Sequence, residues 1–285
     1  MMSYEIAVII PHYNDPERLA RCLTALIPQA DEDVEIVVAD NASTVDLSPV
    51  RDAFPTVRFV TEPTSGAGPA RNRGVAETTA PWLMFIDADC LPASDWLAVG
   101  RRIAKDGTVI GGRVDVFHET PRPCSGAEAF EQVFAFKMAA YLTRDAFLGA
   151  GNLVVSRAVF EDVGGFRPAV SEDKEWSQRA AKAGHTLAFE HEFAAGHPSR
   201  QDWAALRHKW RRLTREGFLL EGHSGRMKWA LRALLMPASV LAHLPKVLRA
   251  PGLTVLEKRR AVGTLVRIRL ARMGWMLGQA LRGAD

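Results

Sequence analysis

The chain has 285 residues, 47% of them hydrophobic and 24% charged, an ordinary globular composition that excludes a disordered or fibrous chain and allows one large domain or a domain with an appendage. Its three cysteines, Cys22, Cys90 and Cys124, are odd in number and widely spaced, which excludes a disulfide framework and a CxxC zinc site and fits unpaired thiols in a reducing compartment. The net charge of +3 conceals a division: residues 1–199 carry 18 Lys+Arg against 28 Asp+Glu, and residues 200–285 carry 18 against 5, giving −10 and +13.

The opening MMSYEIAVIIPHYND has no basic leader, and its apolar run stops at Pro11, so a buried first strand is expected rather than a signal peptide. Residues 5–11 are nearly continuous in apolar side chains, the pattern of a strand covered on both faces. Asp15-Pro16 supplies an N-cap and an N1 proline for a helix running through Ile27. A strand over 34–40, a short helix over 48–54 and a strand over 57–61 follow. A glycine loop then leads into a helix over 68–79. Residues 82–89 read as another apolar strand ending in acids. This β-α-β-α order predicts a mainly parallel, doubly wound sheet, with ligands at the carboxyl ends of its strands. Asn14 and Asp15, Asp40 and Asn41, and Asp87 and Asp89 all fall at such ends.

From Val109 the pattern loosens. A strand with a glycine-permitted bend is expected over 109–117, one helix over 125–142, a strand at GNLVVSR entering a helix that stops at Gly164-Gly165, a helix over 173–183, and a last strand at HTLAFE. Beyond Gly196 strands cease, and residues 202–222, 226–248 and 254–282 read as basic, apolar helices broken by Gly and Pro. No run reaches the ~18 apolar residues of a spanning helix; the nearest, 229–244, is interrupted by Arg232, Pro237 and His243.

Four groups of residues carry chemical potential. Asp87-Ala88-Asp89 places two carboxylates where both can reach one hard divalent ion such as Mg²⁺ or Mn²⁺; the alternative is a solvated turn. Glu172-Asp173 opens a helix, either as dipole-favoured acids or as a general base that takes a proton from an attacking hydroxyl. The loop Gly66-Ala67-Gly68 leads into a helix N-terminus, a ready anion site, with Arg71 or Arg73 suited to a phosphate. Arg71 stands where a dinucleotide fingerprint would have its third glycine, which disfavours that fold. His197, after the last strand, is a structural histidine or a third metal ligand beside the acidic pair.

Together VIIPHYND, IVVADNAST, GAGPARNRG, FIDADC, GNLVVSRAVFEDVGGF and SEDKEWSQRAAKAGH resemble, in order and spacing, the inverting family-2 glycosyltransferases. The resemblance covers residues 6–217 and implies an α/β fold of GT-A type: a nucleotide-binding three-layer sandwich with a mostly parallel central sheet, plus a C-terminal helical extension. The implied division is a catalytic domain over 1–200, with a nucleotide-binding half to 110 and an acceptor-side half over 111–200, followed by a basic amphipathic extension over 201–285. By the same resemblance Pro11, Tyr13 and Asp40 line the base and ribose pocket, and Arg71 sits near the diphosphate. Asp87 lies near ribose or metal, Asp89 is the main ligand of Mn²⁺ or Mg²⁺, and His197 is a further one. Asp173 is the catalytic base with Glu172 beside it, and Gly151 and Asn152 build the acceptor side. Many relatives carry glycine where this chain has Ser171. The QxxRW-type segment of processive synthases is absent, KWRRLTREG standing in that region, so single addition is expected.

The expected partners are a nucleotide-sugar donor, UDP favoured, and a sugar or lipid-linked acceptor. The basic extension suits an anionic membrane surface, with the protein cytoplasmic and peripheral on the inner face of the membrane; helices packed on the catalytic domain are the alternative. Nucleic acid is disfavoured because no recognition motif accompanies the basic charge. A nucleotidyltransferase of similar architecture and a non-catalytic binder are the competing readings; the GNLVVSR and EDKEW segments oppose the first, and retention of both acidic motifs opposes the second.

Overall fold

In the computed structural model, residues 4–167, 171–221 and 225–283 are described. The chain forms two compact units, one built from residues up to Asp115 and from Phe136–His197, the other from Val116–Ala135 and from Pro198 onward. The helical unit takes in residues 116–135 as well as the chain from Pro198 onward.

The elements in chain order are β1 (Ile6–His12), α1 (Pro16–Leu26), β2 (Val34–Asp40), α2 (Ser48–Ala53), β3 (Arg58–Thr61), α3 (Ala67–Ala76), β4 (Trp82–Ile86), β5 (Leu91–Pro92), α4 (Trp96–Ile103), β6 (Thr108–Phe117), α5 (Gly126–Phe134), α6 (Met138–Asp145), β7 (Asn152–Ser156), α7 (Arg157–Val163), α8 (Glu172–Lys182) and β8 (Thr186–Pro198). The strands form one sheet in the order β3-β2-β1-β4-β7-β6-β8-β5. Its first four strands run parallel. β7 then pairs antiparallel with β4 and β6, and β5 antiparallel with β8.

Every residue of β1 is buried, as its unbroken apolar run requires of a central strand. Its side chains alternate between two cores. Ile6, Val8 and Ile10 pack with Leu19 and Leu23 of α1 and Trp96 of α4. Ala7 and Ile9 pack with Val75 of α3, Phe160 of α7 and Trp176 of α8. The period-two alternation of a strand thus makes a helix–sheet–helix sandwich. Asp15 caps α1, its Oδ1 accepting the Arg18 N–H at 3.2 Å, with Pro16 at the first helical position.

Two expected helices are divided. The 125–142 helix breaks at Ala135–Lys137, where Phe136 has φ +50° and the chain leaves the second unit for the first. Phe130 and Phe134, one turn apart in α5, pack together with centroids 4.8 Å apart, while Phe136, beyond the break, lies 4.5 Å from the His197 ring. The 226–248 helix breaks around Pro237, which has no N–H to continue the ladder, into α10 (Arg226–Leu234) and α11 (Ser239–Leu248). The two-residue strand β5 is too short to show a period, and the eight-residue helix α4 is an addition to the expected elements.

The second unit consists of α5, α9 (Trp203–Glu221), α10, α11 and α12 (Val255–Arg282). Phe130, Leu206, Val247, Leu265 and Ile268 form one core there; Phe218, Trp229, Ala233 and Met276 form another. α12 starts on a capping box: Thr254 Oγ1 accepts the Glu257 N–H at 3.3 Å and Glu257 Oε2 accepts the Thr254 N–H at 2.8 Å, which satisfies otherwise orphaned helix-end donors.

Candidate active site

β1 and β2 end side by side, His12 in register with Asp40. His12 Nδ1 lies 3.0 Å from Asp40 Oδ1, and Nε2 accepts the Asp15 N–H at 3.1 Å. Since Nε2 accepts, the ring hydrogen sits on Nδ1 and is donated to Asp40. Asp40 also accepts the Ser43 N–H at 3.1 Å and hydroxyl at 2.5 Å. Asn14 Oδ1 accepts the Thr44 N–H at 2.8 Å. Asn41 donates to the Glu62 and Thr64 carbonyls at 3.0 and 2.6 Å and accepts the Gly66 N–H at 2.7 Å. The loops after three parallel strands are therefore stitched to one another at the sheet's carboxyl edge, where open α/β sheets bind ligands. Gly66, at φ +126°, turns the chain into α3 through a conformation that side chains rarely adopt. Tyr13 stands 60% exposed at this edge, whereas Pro11 is buried inside β1 opposite Ala39.

Arg71, in α3, is buried and joins the two acidic segments. Nη2 donates to Asp87 Oδ1 at 2.7 Å and Nη1 to Glu172 Oε1 at 2.9 Å, with the guanidinium 5.5 Å from the Phe166 ring centroid. The expected diphosphate-facing arginine is thus a cross-link between carboxylates here, because a buried guanidinium demands paired acceptors. The β4–β7 register sets Ile86 opposite Asn152 and so brings Gly151 against Asp87. A Cβ on Gly151 would stand 2.4 Å from Asp87 Oδ2, so a larger residue there requires this carboxylate to shift.

Asp89 arrives beside His197 by register too: β5 pairs Leu91 with Gly196, and Asp89 Oδ2 lies 3.3 Å from His197 Nε2. Among the described residues no three His, Cys, Asp or Glu side chains form a ready-made cation cluster. The expected trio of Asp87, Asp89 and His197 is therefore not assembled: Asp89 and His197 meet, while Asp87 is held by Arg71. The donor pair nevertheless fits a hard divalent ion, since neighbouring ligands of an ion held at about 2.1 Å stand about 3 Å apart, and such ions complete their shells with phosphate oxygens and water.

Asp173 lies in the first turn of α8 beside Glu172. Burial pushes its carboxyl up from an ordinary 3.8 to about 7, the Glu172 charge adding to the rise and Arg71 opposing it. The preceding Ser171 has φ +56°, in the left-handed region that favours glycine.

Asn152 was expected on the acceptor side, but its amide is committed to the sheet. Both amide hydrogens go to the Arg113 and Phe193 carbonyls, at 3.0 and 2.9 Å, and Oδ1 accepts the Trp96 indole N–H at 2.8 Å. His12, Ser43 and Asn72 were not singled out by sequence. Asn72 clamps the Phe166 backbone from both sides, Nδ2 donating to its carbonyl at 2.7 Å and Oδ1 accepting its N–H at 2.8 Å. His12 and Asp40 are 28 residues apart and Asn72 and Phe166 are 94 apart, so no local spacing signals these pairs, whereas Ser43 lies three residues from Asp40.

The glycosyl transferase family 2 model matches residues 7–164. Glycosyltransferase AglE of Haloferax volcanii is 30% identical over 217 residues, 72% of this chain and 71% of that protein. The pre-mycofactocin glycosyltransferase of Mycobacterium tuberculosis is 25% identical over 215 residues, 70% of this chain and 45% of the relative. Among solved structures, the mannosyltransferase PcManGT of Pyrobaculum calidifontis, in complex with GDP-Man and Mn²⁺, superposes with a TM-score of 0.57 at 19% identity, covering 99% of this chain and 74% of that one. TarS of S. aureus, in complex with UDP-GlcNAc, gives 0.56 at 14% identity, covering 98% and 92%. The stitched strand ends, the acidic pair and the helix-borne carboxylates thus sit on a GT-A fold, and the chain belongs to glycosyl transferase family 2: it is a glycosyltransferase.

Proposed function

We propose that the enzyme moves a sugar from a nucleoside-diphosphate donor, UDP favoured, to an acceptor hydroxyl in one inverting displacement, adding single residues rather than polymerising. The observation that carries this reading is the bridge by which Arg71 joins Asp87 at the end of β4 to Glu172 at the start of α8, which sets Asp173 beside the acidic strand end; burial raises its carboxyl to about 7. A base poised near working pH is ionised often enough to act and basic enough to take a proton. In the displacement the acceptor oxygen bonds to the anomeric carbon from the face opposite the diphosphate, its proton passes to Asp173, and the bond from that carbon to the diphosphate oxygen breaks. Glu172 and Arg71 set the charge around the base. Asp89 and His197 would hold Mn²⁺ or Mg²⁺, whose chemistry when bound is to neutralise the departing diphosphate. The complexes of PcManGT with GDP-Man and Mn²⁺ and of TarS with UDP-GlcNAc support a nucleotide-sugar donor and a divalent ion.

Tyr13 and the Asp40 cluster form the base and ribose side in this reading. Gly151 belongs to the acceptor side, with Asn152 as its structural support. The acceptor is a lipid-linked or cell-envelope glycan, met at the cytoplasmic face of the membrane, a reading supported by the +13 charge of residues 200–285. Isothermal titration with UDP, GDP and dTDP, each with and without Mn²⁺, tests the donor side. Manganese-dependent binding of one nucleotide, lost in Asp89→Ala, is expected; no binding under any condition overturns the reading.

A further inference from the structure

The inner faces of α10 and α11 are spent on packing: Trp229, Ala233 and Val247 are buried. A helix in water should then turn a polar face outward, yet the outward face is apolar. Met227, Leu231, Leu234, Leu235, Leu241 and Leu248 recur at helical spacing, and all are exposed, Met227 by 75% and Leu241 by 74%. So large an apolar stripe on a soluble surface marks a contact surface.

The surrounding charge selects the partner. Residues 226–249 contain five basic side chains and no acidic one. Lys228 and Arg232 share a single carboxylate, Glu221. Next to the α10–α11 junction, Arg269 of α12 points Nη1 at Met236 Sδ, 3.9 Å away, and Arg272, one turn on, lies over the Trp210 ring at 4.7 Å. The Nε atoms of both arginines are buried without a hydrogen-bond partner, and burial lowers the pKa of both, Arg272 to about 10 with Arg269's charge adding to it. Two neighbouring guanidiniums with no carboxylate across from them lack a counter-ion within the described residues. A second copy of this face would bring basic charge against basic charge across a two-fold axis, whereas lipid phosphates would compensate it.

We propose that α10 and α11, with Arg269 at their junction and Arg272 one turn further along α12, form a docking face that lies in the surface of an anionic phospholipid bilayer. Neither helix alone, at 9 and 10 residues and about 14–15 Å, spans a hydrocarbon core about 30 Å thick; the pair together has the length and apolarity of a bent span, but it meets at 55° and its inner faces pack within the helical unit, which favours the surface. A bent pair with an apolar outer face and flanking cations matches the interfacial geometry instead. This deepens the lipid-facing reading of the acceptor while standing on surface observations alone.

Flotation of the full chain with phosphatidylcholine vesicles, and with phosphatidylcholine–phosphatidylglycerol vesicles, tests it without any sugar substrate. The chain is expected to float with the anionic vesicles and far less with the neutral ones. The triple variant Leu231→Gln/Leu234→Gln/Leu241→Gln should lose partitioning by roughly 100-fold or more, and Arg269→Gln/Arg272→Gln by roughly 10-fold. A Leu241→Trp variant, which keeps the apolar face, should be quenched by brominated lipid in the anionic vesicles. No flotation with anionic vesicles, undiminished flotation of the triple variant, or no quenching of the introduced tryptophan overturns the proposal. So does a dimer in vesicle-free sedimentation that the triple variant dissociates, since the face would then belong to a second copy. Nucleotide titration of the same preparations reads the transferase proposal separately, because none of these residues belongs to the candidate active site.

Discussion

Replacing Asp173 by Asn probes the charge environment of the candidate base through stability as well as turnover. Its carboxyl titrates at about 7 in the folded protein against an ordinary 3.8. Once ionised, it therefore opposes folding by up to about 4 kcal/mol. The residue is only half-buried, so water screening reduces this to roughly 2 kcal/mol. The sign follows from proton binding: between the two values the folded state holds a proton that the unfolded chain has lost, so this group's contribution to stability declines as pH rises from about 4 to about 7 and then levels off. Asn is nearly isosteric, keeps an oxygen for the Lys174 N–H now accepted at 2.8 Å, and never ionises. Urea unfolding followed by tryptophan fluorescence should show Asp173→Asn more stable than the natural chain by roughly 2 kcal/mol at pH 8, with the gap shrinking to a few tenths near pH 4. Sugar transfer should be abolished in the same variant while donor binding survives. A gap independent of pH would refute the raised carboxyl, and a fully active variant would refute the base.

Arg71→Gln leaves Asp87 and Glu172 facing each other without their shared cation. Allowing for the half-exposed Asp87, a loss of about 2–4 kcal/mol is expected in urea unfolding, and, because Arg71 holds the Asp173 value down, the residual activity should rise with pH at a more alkaline midpoint. Gly151→Ala puts a Cβ 2.4 Å from Asp87 Oδ2; it should cost about 1–3 kcal/mol and weaken donor binding roughly 10-fold in titration by displacing that carboxylate. Asn152→Ala removes three buried hydrogen bonds, to the Arg113 and Phe193 carbonyls and from the Trp96 indole, so a loss of about 3 kcal/mol is expected, seen as a lower thermal midpoint.

The parallel half of the sheet was legible because buried strands and capped helices write themselves locally: β1 as an unbroken apolar run, α1 behind Asp15-Pro16, α8 behind its acids. The basic division near residue 200 was legible from charge alone. The identities of Asp87, Asp89, Asp173 and His197 as candidates followed from their positions at strand ends and helix starts, together with a family resemblance. What those residues do to one another followed from register and packing. Whether Arg71 faces a phosphate or two carboxylates depends on α3 and α8 meeting across 101 residues of chain. The pairing of Asp89 with His197 depends on a two-residue strand too short to show a period. The sequence context of Asn152 cannot reveal that two strands and a tryptophan bond its amide. The same limit holds on the outer helices, where Pro237 predicted a break but only the folded packing shows which leucines are buried and which are left facing outward. Local composition determines which segments form and where charge collects; the partner of each polar group is decided by contacts distant in sequence, which exist only once the chain is folded.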